Sequence, residues 1–191
     1  MPSPTLPRVR VIGGSSRGRR LRAPAGTATR PTSDRVREAV FDMLDTLVDL
    51  DGVAVVDLFS GSGAMGIEAL SRGAGSVVFV ERAPGALAAI RANLVSTGLD
   101  DERARPTRAE ALAYLARPHR FDVALVDPPY AFDQWEELLG RLDADLAVLE
   151  SDRELQVPVG WEILRHKQYG DTLVTVVRHA DAPRRGQKGT P

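Results

Sequence analysis

A chain of 191 residues, 43% of them hydrophobic and 27% charged, is long enough to bury a sizeable core as one domain with a short appendage. It contains no cysteine, which excludes a disulfide framework, a thiolate metal site, a catalytic thiol and the carbon-directed base methylation that commonly needs such a thiol. The net charge of −1 hides a segregation: residues 1–37 hold nine arginines against Asp34 alone, residues 38–177 hold 12 basic and 24 acidic side chains, and the tail from Arg178 holds four basic residues and Asp181, so one end of the chain is built to meet a polyanion and the centre is not.

Met1 to Arg22 carry prolines and arginines without the apolar core of a signal peptide, and no apolar run reaches about 18 residues, so a cytoplasmic protein with no membrane partner is expected. Arg8 to Ile12 and Arg19 to Arg22 read as two short strands around Gly13-Gly14, making residues 1–32 a basic β-hairpin extension. Its Arg8, Arg10, Arg17, Arg19, Arg20, Arg22 and Arg30, with Arg35 just beyond, are the candidate phosphate contacts. Ser33 or Thr32 can cap a helix in which Val36, Val40, Leu44 and Leu47 form an apolar stripe, so the main domain is expected to span 33–179 with this helix leading it.

From Asp51 to Val177 short apolar runs alternate with helix-like stretches, the pattern of a parallel sheet with crossover helices. Strands are predicted at Ala54 to Leu58, Val77 to Glu81, Val123 to Asp127 and Leu146 to Glu150, with a weak one near Ala104. Helices are predicted at 62–72, 84–97, 109–117 and 133–142; the second shows Leu87, Ile90, Leu94 and Val95 at helical spacing, and Gly98 supplies its stop. Trp161 to Lys167 and Thr172 to Arg178 flank Tyr169-Gly170-Asp171, the signature of a closing β-hairpin. Residues 180–191, rich in Gly, Pro, Lys and Arg, read as a disordered basic tail.

Two constellations carry chemistry. The first runs from Val55 through Asp57-Leu58-Phe59-Ser60-Gly61-Ser62-Gly63 to Gly66, a buried strand entering a glycine-rich turn and then a helix. Gly61 and Gly63 let the backbone turn and approach a ligand, and Gly66 permits close helix–strand packing. Glu81 ends the next strand, where a carboxylate can accept hydrogen bonds from ribose hydroxyls. An acid such as Asp57 at the strand end suits a cationic ligand and would repel a phosphate, which favours S-adenosylmethionine over a dinucleotide. The cofactor-binding residues expected are therefore Asp57, Phe59, Ser60, Gly61, Ser62, Gly63, Glu81 with its neighbour Arg82, and, at the start of the helix after the third strand, Glu110 and Ala111.

The second is Asp127-Pro128-Pro129-Tyr130, directly after the apolar strand. Two prolines cannot continue a ladder, so the chain must leave the sheet as a stiff loop beside the cofactor site. There the Asp127 carboxylate and the Pro128 carbonyl are two fixed acceptors, matched to the two N–H donors of an exocyclic amine, and Tyr130 offers a flat face to an unstacked base. Asp127, Pro128, Pro129 and Tyr130 are the candidate catalytic residues.

These two motifs resemble those of the amino-group methyltransferases acting on adenine N6, cytosine N4 or guanine N2. Further segments narrow the resemblance: Arg10-Val11-Ile12-Gly13-Gly14, Arg17-Gly18-Arg19-Arg20-Leu21, Arg30-Pro31-Thr32-Ser33-Asp34-Arg35-Val36-Arg37-Glu38, Glu68-Ala69-Leu70-Ser71-Arg72-Gly73-Ala74 and Tyr169-Gly170-Asp171. The set is similar to the bacterial small-subunit ribosomal RNA guanine-N2 methyltransferases of the RsmD type. That resemblance implies an α/β Rossmann-like fold with a seven-stranded, mainly parallel sheet. It also implies S-adenosylmethionine as cofactor, S-adenosylhomocysteine as product, and a guanine of 16S rRNA in an assembled or assembling small subunit as target. The connection Asp143 to Leu146 is shorter than is usual in that family, which trims a surface loop.

His119, His166 and His179 show no metal-site spacing, so no metal is expected, and a monomer is expected. A DNA adenine-N6 or cytosine-N4 methyltransferase is the nearest rival. A nicotinamide-dependent oxidoreductase and a non-catalytic RNA-binding module are the more distant ones.

Overall fold

The computed structural model describes residues 9–24 and 33–183. Two short antiparallel strands, β1 (Val9–Arg10) and β2 (Arg20–Leu21), form a ribbon in which Val9 faces Leu21. Val9, Val11 and Leu21 are buried while the arginines between them face outward, an alternation that follows from the two-residue period of a strand. Helix α1 (Asp34–Asp45) starts at Ser33, whose Oγ accepts the Val36 N–H at 3.3 Å; Thr32, the other predicted cap, lies outside the described residues.

The main sheet is built from β3 (Ala54–Leu58), β4 (Ser76–Glu81), β5 (Ala104–Arg108), β6 (Phe121–Val126), β7 (Ala144–Ser151), β8 (Trp161–Tyr169) and β9 (Thr172–His179), in the order β5-β4-β3-β6-β7-β9-β8. The first five are parallel; β9 runs antiparallel between β7 and β8. The weak strand near Ala104 forms as β5 at the sheet edge, where Pro106 is tolerated because only one side of the strand must be paired. The connection into β7 is as short as the sequence suggests, with only Leu142 and Asp143 between the preceding helix and the strand.

Helices α2 (Ala64–Ser71) and α3 (Pro84–Thr97) join α1 on one face of the sheet, over Val55, Phe79 and Leu125. Helices α4 (Ala111–Leu115) and α5 (Trp135–Arg141) cover the other face, over Val56, Leu58 and Leu149. The helices are shorter than predicted at 62–72, 109–117 and 133–142 because the glycine turn, the Glu110 cap and the extended Leu142 cut their ends. Among the described residues no helix is long and apolar enough to cross a membrane.

The chain winds outward from β3 to β5, then returns to the other side of β3 as β6. Strand order reverses there, so the loops after β3 and β6 diverge and open a crevice at the carboxyl ends of the strands.

Candidate active site

That crevice is a cavity of about 790 Å³, and Asp57, Glu81, Asp127 and Glu150, from the ends of β3, β4, β6 and β7, all face it. Asp57, Phe59, Ser60, Gly61 and Ser62 line it, as do Glu81, Arg82, Glu110 and Ala111, and all four residues from Asp127 to Tyr130. Gly63 is not among the lining residues; it is the N-cap of α2, with φ 78°.

The glycine turn is tightly held. Ser60 Oγ donates to the Asp57 carbonyl at 2.6 Å, and the Gly63 N–H donates to the Ser60 carbonyl at 2.7 Å. Phe59 adopts a left-handed φ of 59°, a costly conformation for an aromatic residue and one that clusters at functional sites. Its ring is held edge-on by Phe132, 5.1 Å away. Glu81 braces the turn from β4: Oε2 accepts the Gly61 N–H at 2.9 Å and Oε1 accepts the Ala83 N–H at 2.8 Å. Each oxygen retains a lone pair for a ligand hydroxyl. Glu110 is engaged differently, as the cap of α4, accepting the Ala113 N–H at 3.0 Å.

Asp57 is 2% exposed and its Oδ2 accepts the Gly66 N–H at 2.9 Å. Burial first, and then the like charges of Asp127 and Glu81, push its carboxyl up to about 8 against the opposing pull of the Gly66 bond. A cavity that resists ionisation of its own acid is one that a positive charge would stabilise. The donor set therefore fits a cationic ligand bearing hydroxyls.

Asp127 and the buried Pro128 follow the last residue of β6, whereas Tyr130 is 53% exposed at the mouth of the cavity. The loop that presents them is clamped by Arg153, whose Nη1 donates to the Tyr130 carbonyl at 3.2 Å and whose Nη2 donates to the Phe132 carbonyl at 2.7 Å.

Of the predicted phosphate contacts, Arg10, Arg17, Arg19, Arg20 and Arg22 are exposed on the hairpin, outside the cavity lining, and Arg10 is 3.5 Å from Asp34. Arg35 lines a separate groove of about 460 Å³ between α1 and β8. Arg8 and Arg30 lie outside the described residues.

Several residues that reasoning on local pattern did not single out complete the arrangement. Asn93 of α3, fully buried, accepts the Arg22 N–H at 2.8 Å and donates to the Arg22 and Ser62 carbonyls at 3.0 and 2.9 Å, joining hairpin and glycine turn. Glu68 of α2, also fully buried, accepts the Ile12 and Gly13 N–H groups at 2.7 Å each and meets Arg72 at 2.9 Å and Arg37 at 3.8 Å. Arg37 in turn donates to Asp34 at 2.8 Å and to the Arg10 carbonyl. Glu68 and Arg37 did stand within the segments that carry the family resemblance, which was their one signal. Glu150, 4% exposed, and Arg153 had none.

The family described as "Conserved hypothetical protein 95" matches residues 9–178. YlbH of Bacillus subtilis (strain 168) is 38% identical over 189 residues, covering 89% of this chain and 98% of that protein. Ribosomal RNA small subunit methyltransferase D of Escherichia coli (strain K12) is 35% identical over 176 residues, 85% of each. Among solved structures, yhhF from Escherichia coli superposes with a TM-score of 0.79 at 33% identity, covering 90% of this chain and 98% of that one.

Proposed function

This chain belongs to the Conserved hypothetical protein 95 family, and from that membership and its cavity we propose that it methylates the exocyclic N2 amine of a guanine in small-subunit ribosomal RNA, with S-adenosylmethionine as donor. One observation carries the proposal. The Asp127-Pro128-Pro129-Tyr130 loop leaves β6 into the same cavity that Asp57, Glu81 and the glycine turn line, beside the topological switch point. The relative named as ribosomal RNA small subunit methyltransferase D matches across 85% of both chains, which supports ribosomal RNA as the substrate class.

When bound, S-adenosylmethionine supplies an electrophilic methyl group on a sulfonium and leaves as S-adenosylhomocysteine. The acids do the rest. Glu81 accepts ribose hydroxyls, and Asp57, once ionised, offsets the ligand's positive charge. An aromatic amine is a poor nucleophile because its lone pair is delocalised into the ring. Asp127 and the Pro128 carbonyl, by accepting both amine hydrogens, reduce that delocalisation and aim the nitrogen, and Asp127 favours the positive charge that develops on it. Tyr130 stacks on the base at the mouth of the cavity.

The test is to incubate the protein with labelled S-adenosylmethionine and small ribosomal subunits from cells lacking it, then digest the RNA and identify the labelled nucleoside. N2-methylguanosine is expected. Label in N6-methyladenosine or N4-methylcytidine would move the assignment to another amine, and no label in any nucleic acid would remove methyl transfer altogether.

A further inference from the structure

Glu150 is a buried cavity carboxylate that the steps above leave unused. Strand β7 runs parallel to β6, and the last residue of β6, Val126, stands opposite Leu149, so Asp127 and Glu150 each come next in the chain at the same end of two neighbouring strands. Parallel neighbours lie about 4.8 Å apart. Val126 and Leu149 point into the core shared with α4 and α5; by alternation Asp127 and Glu150 turn to the opposite face, and both line the cavity. Glu150 is 4% exposed, whereas Tyr130 is 53% exposed.

On its Watson–Crick edge guanine carries N1–H next to the C2 amine, so two neighbouring acceptors, one for the amine and one for N1–H, match it. Adenine carries a bare N1 next to its amine, and cytosine a bare N3; either would set a lone pair against the carboxylate. We propose that Glu150 is the specificity-determining residue of this site, accepting N1–H of the target guanine while Asp127 and the Pro128 carbonyl hold its N2 amine. The proposal rests on the guanine-N2 function above.

The experiment uses 16S rRNA with guanine or 2-aminopurine ligated into the methylated position and reconstituted into small subunits. 2-Aminopurine keeps the C2 amine but has a bare N1. The wild-type chain should prefer guanine by about 10- to 150-fold in kcat/KM, the worth of one charged hydrogen bond. Glu150→Gln can accept N1–H through its carbonyl or donate to a bare N1 through its amide, so its preference should collapse toward one. Glu150→Asp keeps the charge, withdraws the acceptor by one methylene and should lose most of the preference too. A merely structural role would lower both rates together and leave the ratio intact. An unchanged ratio in the variants, or no preference in the wild type, overturns the proposal while the guanine-N2 function stands. Recovery of a labelled nucleoside other than N2-methylguanosine from unmodified subunits overturns both. The wild-type comparison does not depend on any variant folding.

Discussion

Asp57 couples the cavity to pH. Its carboxyl is raised from 3.8 to about 8 by burial first and by Asp127 and Glu81 after it. Between those values the folded, unliganded chain holds a proton that the unfolded chain has lost. The stability this group contributes is therefore full below about pH 4, falls as pH rises, and is gone above about pH 8. Asp57→Asn keeps an acceptor for the Gly66 N–H and should flatten that slope in melting curves from pH 5 to 9. A cationic cofactor needs the ionised form, so wild-type binding at pH 7 should release a proton and tighten toward pH 8, whereas the asparagine variant should release none. Titration calorimetry in two buffers of different ionisation enthalpy measures this directly; equal proton release in the two proteins would dismiss Asp57 as the coupled group. Tyr130 is read on the same scale. Because it is 53% exposed, its ring contributes little to the core, so Tyr130→Ala should fold normally and lose about 5- to 150-fold in kcat/KM, the worth of one stacking contact. Tyr130→Phe should remain active. A phenylalanine variant as slow as the alanine one would show that the hydroxyl, not the ring, is what matters.

At the scale of elements, the glycine turn works only because α2 lies almost against β4. A Cβ built on Gly66 would fall 2.4 Å from the Phe79 ring, and no real side chain sits so close. The Gly66 N–H that holds Asp57 depends on that proximity. Gly66→Ala should therefore cost about 1 to 3 kcal/mol through overpacking, a fall of roughly 2 to 12 °C in melting temperature for a chain of this size. It should also weaken cofactor binding. A variant with unchanged melting temperature would mean that Phe79 can move aside. The strand, turn and helix were legible from Val55 to Gly66, because periodicity and glycine are local signals. Their bracing was not: Asn93 reaches Ser62 from 31 residues away, and Arg153 reaches Tyr130 from 23. Nothing in a polar residue on a helix or after a strand says which distant carbonyl it will meet.

Across the whole molecule, the ribbon formed by residues 9–24 of the arginine-rich segment is a docked element. Glu68 binds the Ile12 and Gly13 N–H groups from 56 and 55 residues away, and the buried Arg37 ties Arg10 to α1. The ribbon therefore presents Arg17, Arg19 and Arg20 from a fixed platform, and Asn93 links its end to the glycine turn. If these arginines meet RNA phosphates, replacing all three with alanine should weaken RNA binding and reduce its salt dependence by about 0.7 to 0.9 of a log unit per lost contact, with cofactor affinity unchanged. Affinity measured from 50 to 300 mM salt gives the slope. The same slope in variant and parent would assign the platform a purely structural role.

The sequence by itself determined the class of fold and the chemistry of its two motifs. Alternating apolar runs dictated strands and crossover helices, the glycine spacing dictated the turn, and Pro128-Pro129 forced the chain off the sheet where Asp127 could face a ligand. The strand order was not written in any local run. Only the tertiary structure put β6 beside β3, so that Asp57 and Asp127, 70 residues apart in sequence, share one cavity and Asp127 adds to the cost of ionising Asp57. It also decided that Glu150 and Asp127 line the same cavity and that Glu68 and Arg37 are buried partners. The physical reason is the range of each effect. Backbone conformation answers to neighbours a few residues away, whereas burial and charge answer to whatever the fold brings within a few ångströms.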